Sequence, residues 1–335
     1  MSIKVGINGF GRIGRQLLRI SLSSKDVDVV ALNDIADVKT CAHLLKYDSV
    51  FGVLEQDVRN SDNEIVVNGK KIRFFSEKSP KNIDWPSCKC QIVVESTGIF
   101  TSQEQASSHL RGSVKKVIIT APPSGKIDFT TVMGVNDELY DPKQHDVISN
   151  ASCTTNCLAI VVKVLMENFG LSSGHMTTIH SYTNDQRIID SPHKDIRRTR
   201  AGALSMIPTT TGATKAIEEI FPELKGNLSA ISIRVPTPNV SMLDFVANLR
   251  DKVSIKDINS AFESASKNLL KDYLDIAPDG VVSIDLLKNK HSAVFDPFGT
   301  SVIGGDFIKL IAWYDNEYGY SSRVLDLVTK IGKLL

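Results

Sequence analysis

The spacing of hydrophobic and polar positions changes character between the two halves of the chain. In the first half, short runs of β-branched and apolar residues alternate with helical stripes. Ile3 to Asn8 reads as a strand, and Gly11 to Ser23 as a helix with Ile13, Leu17, Leu18 and Ile20 on one apolar face. Val27 to Asn33, Gln91 to Glu95 and Lys116 to Thr120 read as further strands. Glu64 to Phe75 reads as a hairpin, because Asn68-Gly69 supplies the positive φ angles that a two-residue turn needs. Strands alternating with helices predict βαβ units and a mostly parallel sheet.

The second half carries longer strand patterns at Met176 to Tyr182, Ala230 to Val235, Met242 to Leu249 and Phe307 to Tyr314. Helical patterns separate them at Cys153 to Asn168 and Thr211 to Ile220. This is the order of an α+β domain with a mixed or antiparallel sheet. Tyr318 to Leu335 reads as a helix with Val324, Leu327, Val328, Ile331 and Leu335 on one face. Thr183 to Ile207 is rich in Arg and Asp and lacks periodicity. A connection of that length usually has a function.

Composition narrows the classes. A chain of 335 residues is long enough for about two domains. Lys plus Arg number 39 and Asp plus Glu 38, a net charge of +1. That balance gives no general attraction to nucleic acid or anionic membranes, so any anion site must be a local arrangement of a few basic residues. No run approaches the ~18 to 20 apolar residues that span a bilayer. The start, Met1-Ser2-Ile3-Lys4, runs directly into a strand pattern, so no signal or transit peptide is expected. Cys41, Cys88, Cys90, Cys153 and Cys157 make an odd set without a regular framework, which points to a reducing compartment and to the cytoplasm as default. Cys88 and Cys90 lack a second pair at metal-ligand spacing. They read as ordinary thiols, and no metal site is expected.

Gly9, Gly11 and Gly14 match Gly-x-Gly-x-x-Gly, a weak signal alone but here one that follows a strand and opens a helix. The first glycine makes the tight turn, the second admits a pyrophosphate and the third lets helix and strand pack closely. Unpaired N–H groups at the helix start then face the anion. Asp34 lies at the end of the second strand, twenty residues past Gly14. A carboxylate there accepts both ribose hydroxyls and repels a 2′-phosphate, which favours NAD over NADP. Its bland alternative is a helix cap. The fold expected is therefore α/β: a doubly wound N-terminal domain of Rossmann type over residues 1–150, joined by the C-terminal helix 316–335, and an α+β catalytic domain over 151–315.

Ser149-Asn-Ala-Ser-Cys-Thr-Thr-Asn-Cys157 precedes an apolar helix, so Cys153 falls at a helix N-terminus, where the dipole favours thiolate. The usual fate of a cysteine is a small buried thiol. Cys157, one turn on, reads as packed.

These residues resemble phosphorylating glyceraldehyde-3-phosphate dehydrogenases. The resemblance is carried by residues 3 to 14, Ser149 to Cys157, Thr178-Ile-His-Ser-Tyr-Thr-Asn-Asp-Gln186, Pro208-Thr-Thr-Thr-Gly212, Arg234-Val-Pro-Thr-Pro238 and Trp313-Tyr-Asp-Asn-Glu317, in the family's order along essentially the whole chain. It implies Cys153 as nucleophile and His180 as general base, passing through a hemithioacetal and a thioester that inorganic phosphate cleaves. His175, without such a match, reads as structural. The resemblance assigns Thr183 and Arg234 to the substrate phosphate. Ser152, Thr154, Thr211 and Gly212 go to the attacking phosphate, and Arg198 lies between the two; Arg197 and Arg200 read as surface charges. It assigns Arg12 and Ile13 to the pyrophosphate turn, Asp34 to the ribose, Lys78 and Thr120 to the cofactor and Asn316 to the nicotinamide amide. Lys78 stands where the family often has arginine, which keeps the charge but loses the planar fork. Thr183 to Ile207 corresponds to the family's S-shaped loop, and a homotetramer is implied. The implied reaction converts glyceraldehyde 3-phosphate, phosphate and NAD to 1,3-bisphosphoglycerate and NADH. The alternatives are an erythrose-4-phosphate dehydrogenase and a non-catalytic NAD-binding regulatory protein.

Overall fold

The computed structural model describes residues 2–335, and the chain forms two compact units. The first takes residues up to Thr131, Asp137–Ala151 and Ser321–Leu335; the second takes Val132–Asn136 and Ser152–Tyr320.

The first unit is built on one nine-stranded sheet, ordered from one edge Phe129–Thr130, Val147–Ser149, Lys116–Ile119, Ile92–Glu95, Ile3–Asn8, Val27–Asn33, Lys70–Phe75, Glu64–Val67 and Val58–Ser61. The first seven run parallel and the last two join antiparallel. Ile3–Asn8 is the strand at which chain order reverses: Val27–Asn33 pairs on one side and Ile92–Glu95 on the other. In doubly wound sheets the crevice at the carboxyl ends of such a pair takes the ligand. The helix Arg12–Ser21 leaves that end. The hairpin turns through Asn68 (φ 47°) and Gly69 (φ 81°), as a two-residue loop requires.

The second unit carries a seven-stranded mixed sheet in the order Ile207–Thr209, Leu228–Val235, Leu171–Ser181, Ser241–Leu249, Phe307–Tyr314, Ala293–Ile303 and Leu274–Ile276. Leu171–Ser181 runs parallel to Leu228–Val235 and antiparallel to Ser241–Leu249. The helix Cys153–Phe169 packs against this sheet, and its Leu158, Ile160, Val161, Val162 and Leu165 are fully buried. A helix apolar on nearly every side belongs in a core, which fixes its N-terminus relative to the strands beside it.

Sequence pattern and structure differ in several places. Leu171–Ser181 begins five residues before the periodic stretch at Met176, because Leu171 to His175 alternates poorly across a register slip between Leu171 and Ser173. The helix Ala213–Ile220 starts after Thr211, whose Oγ1 accepts the Ala213 N–H. Ala293–Ile303 escapes the pattern because Pro297 and Gly299 fall where its register shifts between Asp296 and Ser301. Val38–Lys46 and Ile255–Lys267 are further helices, capped by Asp37 and Ser254.

Candidate active site

Cys153 is the first residue of its helix. Ser152 caps that helix, its Oγ accepting the Thr155 N–H at 3.0 Å. The chain enters through Ala151, held at φ 52°, a conformation a non-glycine residue adopts only at a cost of about 1–3 kcal/mol. This sharp entry presents the thiol at the helix start, half-buried. His180 lies near the end of Leu171–Ser181, 4% exposed, with Nε2 3.5 Å from Cys153 Sγ. The sheet sets its neighbour: His180 pairs in register with Arg234. Behind both, the buried Tyr314 hydroxyl bonds the hydroxyls of Thr154 and Thr178 at 2.8 Å each, tying the nucleophile helix to the histidine strand.

Electrostatics hold this pair neutral. Burial raises the Cys153 thiol above its ordinary value, although the Arg234 guanidinium and hydrogen bonding at Thr154 pull it down. Burial first and the Arg234 charge second push the His180 imidazole from its usual 6.5 down to about 3.

The remaining anion-site candidates fall into two groups. Arg234 is half-buried; its Nη1 lies 2.7 Å from His180 Nδ1 and donates to the Ser181 carbonyl at 3.2 Å, while its Nε has no hydrogen-bond partner. The Arg198 charge also acts on His180, so both arginines are gathered at the pair. Arg198 is ion-paired with Asp185 and donates from Nε to Thr209. Burial would raise Asp185, but hydrogen bonds from His193 and Arg198 keep it below the usual carboxylate range. Thr183 is exposed on the same loop and bonds Gln186. The other group sits at helix starts. The Thr154 hydroxyl is committed to Tyr314, the Ser152 hydroxyl to Thr155 and the Thr211 hydroxyl to Ala213. The Ser152 and Thr211 oxygens act in these bonds as acceptors, and Gly212 opens Ala213–Ile220 with no side-chain cap. Asn316 Oδ1 accepts from Ser181 Oγ and Ser241 Oγ, which turns its NH₂ donors to the other side of the amide.

The first unit fits a dinucleotide. Gly9 (φ 89°) has no room for a side chain, since a Cβ would meet the Thr97 backbone nitrogen at 2.6 Å. A Cβ on Gly14 would strike the Gly9 carbonyl at 2.3 Å, whereas at Gly11 it would meet nothing within 4 Å. The helix after Gly11 has no side-chain cap and no acid in its first turn, leaving its N–H groups for an anion. Asp34 is not the next helix's cap, which is Asp37; it accepts the Phe10 N–H at 2.7 Å and the Ala36 N–H at 2.9 Å. Ile13 is half-buried in the first turn of that helix and the Arg12 side chain pairs with Asp48. Thr120 donates its N–H to the Glu95 carbonyl at 2.9 Å, and Lys78 is exposed beyond Lys70–Phe75.

Sequence reasoning passes over three partners here. Tyr314 and Asp185 sit inside quoted motifs but bear roles that only packing reveals. The third is a buried chain beneath the glycine turn. Trp85 Nε1–H donates to His109 Nδ1 at 3.0 Å, so the opposite nitrogen, an N–H, faces Glu95 at 3.0 Å. Glu95 in turn accepts the Thr97 N–H.

A dinucleotide cradle in one unit and a thiol–imidazole pair in the other are the parts of a nicotinamide-dependent oxidoreductase. Residues 3–103 match the model for "Glyceraldehyde 3-phosphate dehydrogenase, NAD binding domain", and residues 152–316 the model for the C-terminal domain of the same family. The chain is 54% identical over 331 residues to a glyceraldehyde-3-phosphate dehydrogenase of Geobacillus stearothermophilus, covering 99% of this chain and 98% of the relative. It is 52% identical over 333 residues to glyceraldehyde-3-phosphate dehydrogenase 1 of Bacillus subtilis (strain 168), covering 99% of each. The chain belongs to the glyceraldehyde-3-phosphate dehydrogenase family, and its cofactor is NAD.

Two outcomes follow. Gly11→Ala is expected to leave stability within about 0.5 kcal/mol, since its Cβ meets nothing within 4 Å, while weakening NAD binding by narrowing the approach to the uncapped helix start. Gly14→Ala costs both, through its clash with backbone; urea midpoints and NAD titration separate the two. The second concerns pH. With His180 at about 3 when folded and near 6.5 when unfolded, the unfolded chain binds the extra proton between those values. Stability is therefore full above about pH 6.5 and falls as pH drops toward 3. His180→Gln removes this component, so between pH 7.5 and 5 the variant loses less stability in urea unfolding than the parent.

Proposed function

We propose that Cys153 and His180 carry out the reaction of this family: oxidation of glyceraldehyde 3-phosphate with NAD and inorganic phosphate to 1,3-bisphosphoglycerate and NADH. The observation that carries the assignment is the 3.5 Å approach of Cys153 Sγ to His180 Nε2. The imidazole takes the thiol proton, the sulfur bonds the aldehyde carbon as the C=O π pair moves onto oxygen, and the imidazolium returns the proton to that oxygen, giving a hemithioacetal and a neutral ring. Developing charge on that oxygen is met by the Cys153 N–H at the helix start and by the His180 ring. His180 removes the hemithioacetal hydroxyl proton as the C–H electron pair departs, leaving a thioester. When bound, NAD supplies the hydride acceptor. Phosphate oxygen then bonds the acyl carbon, and Cys153 leaves as thiolate.

Arg234 and Thr183 hold the substrate phosphate in this reading, and Arg198 lies between the two anions. Ser152, Thr154, Thr211 and Gly212 serve the attacking phosphate, in good part through backbone N–H groups. Gly9, Gly11, Arg12, Ile13, Gly14, Asp34, Lys78 and Thr120 hold the cofactor, and the outward NH₂ of Asn316 meets its carboxamide. The erythrose-4-phosphate alternative is not favoured, since relatives matched over nearly the whole chain carry the other name. A homotetramer is supported by the loop after His180, where Ile188, Ile189, Ile196, Leu204 and Met206 are all strongly exposed. Apolar side chains concentrated on one surface segment suit burial against a second copy. Five free thiols suit a reducing cytoplasm.

NADH absorbance after adding glyceraldehyde 3-phosphate and NAD tests the reading. Sustained turnover that requires phosphate and disappears in Cys153→Ser is expected, with His180→Asn lower by about 10²- to 10⁴-fold. A burst that stalls even with phosphate would remove the attacking-phosphate assignments, and silence from the parent protein would remove the whole reading.

A further inference from the structure

His180 Nδ1 lies 2.7 Å from the Ser181 carbonyl oxygen and 2.7 Å from Arg234 Nη1. One ring nitrogen cannot satisfy both. Toward a carbonyl it must be N–H; toward a guanidinium, which only donates, it must be a lone pair. The choice fixes the other face of the ring, since a neutral imidazole carries a single proton. With Nδ1 accepting from Arg234, Nε2 is an N–H pointing at Cys153 Sγ, and it cannot take a proton. With Nδ1–H donating to Ser181, Nε2 presents the lone pair that a general base requires.

Resting on the reading above, we propose that Arg234 switches the tautomer of His180, so that capture of the substrate's phosphate group by this guanidinium releases Nδ1 to the Ser181 carbonyl and makes Nε2 the base. Three features of the site support it. The guanidinium has spare donors, since Nε is buried without a partner and Nη1 is its only nitrogen engaged with His180 and Ser181. A phosphate dianion accepts two parallel N–H bonds from such a fork and outcompetes a neutral ring nitrogen. The Arg234 charge also suppresses His180 basicity, and pairing that charge with a dianion relieves the suppression. Recognition of the remote phosphate is thus coupled to the hydride step, and binding energy far from the reacting carbon appears in kcat.

The test uses glyceraldehyde, which lacks the phosphate, with inorganic phosphite as the detached dianion, and reads the first-turnover burst of NADH. The burst precedes phosphorolysis, so acyl transfer does not enter. Phosphite is expected to speed the burst by about tenfold or more in the parent protein and not in Arg234→Leu, within the range of a general base. Arg234→Leu, whose ring is no longer held from Nδ1, gives a faster burst on glyceraldehyde alone than the parent. A normal burst with glyceraldehyde 3-phosphate beside a phosphite-insensitive glyceraldehyde burst overturns the switch while leaving the function intact. No burst with either aldehyde in the parent removes the function itself. Imidazole ¹⁵N shifts, with His180 assigned by His180→Gln, check the parent directly without relying on a variant's folding. They are expected to move from Nε2–H to Nδ1–H on adding phosphite, and one unchanged tautomer overturns the proposal.

Discussion

The approach of Cys153 Sγ to His180 Nε2 depends on a buried helix and a sheet strand meeting at their ends. The helix cannot turn, because its flanks are core; the strand cannot slip, because a one-residue shift would exchange its buried and exposed faces. Tyr314 pins the two together through Thr154 and Thr178. The same register places Arg234 beside His180 on the adjacent strand, so a guanidinium and an imidazole are fixed side by side.

Magnitudes decide the resting charge state. A helix N-terminus contributes about 0.3–1 kcal/mol to a nearby anion, less than the 1.36 kcal/mol that corresponds to one pKa unit. Burial acts in the opposite direction and dominates at both Cys153 and His180. The pair therefore rests as thiol and neutral imidazole, and reactivity must come from what the substrate brings. In the proposed reading, a charged phosphate answered by Arg234 alters the field at His180 without touching the reacting carbon.

Much of this was legible in the sequence, for physical reasons. The glycine turn follows from a strand, a spacing and a helix, and the steric demands at Gly9 and Gly14 explain why no other residue fits. Ile3–Asn8, Val27–Asn33 and Phe307–Tyr314 are legible because each is an interior strand paired on both sides, without proline or glycine breaking its own run of apolar positions beyond Gly6. Ala293–Ile303 is hidden by the proline and glycine at its register shift. Roles set by long-range packing are hidden too. Nothing near Tyr314 in sequence announces that its hydroxyl meets residues 154 and 178, and Glu95, His109 and Trp85 are separate until the sheet stacks them. The hydroxyls of Ser152 and Thr211 accept backbone N–H bonds and that of Thr154 pairs with Tyr314, local partners that the motifs do not announce.

The proposed reaction passes through a covalent bond to one sulfur, and mass spectrometry of the acyl-enzyme tests that most directly. The protein is mixed with glyceraldehyde 3-phosphate and NAD without phosphate, quenched in acid and digested. The phosphoglyceroyl mass is expected on Cys153, with Cys157 unmodified, and it disappears when phosphate is added before the quench. A stable adduct on Cys157, or NADH formed with no acyl group on Cys153, would contradict the account.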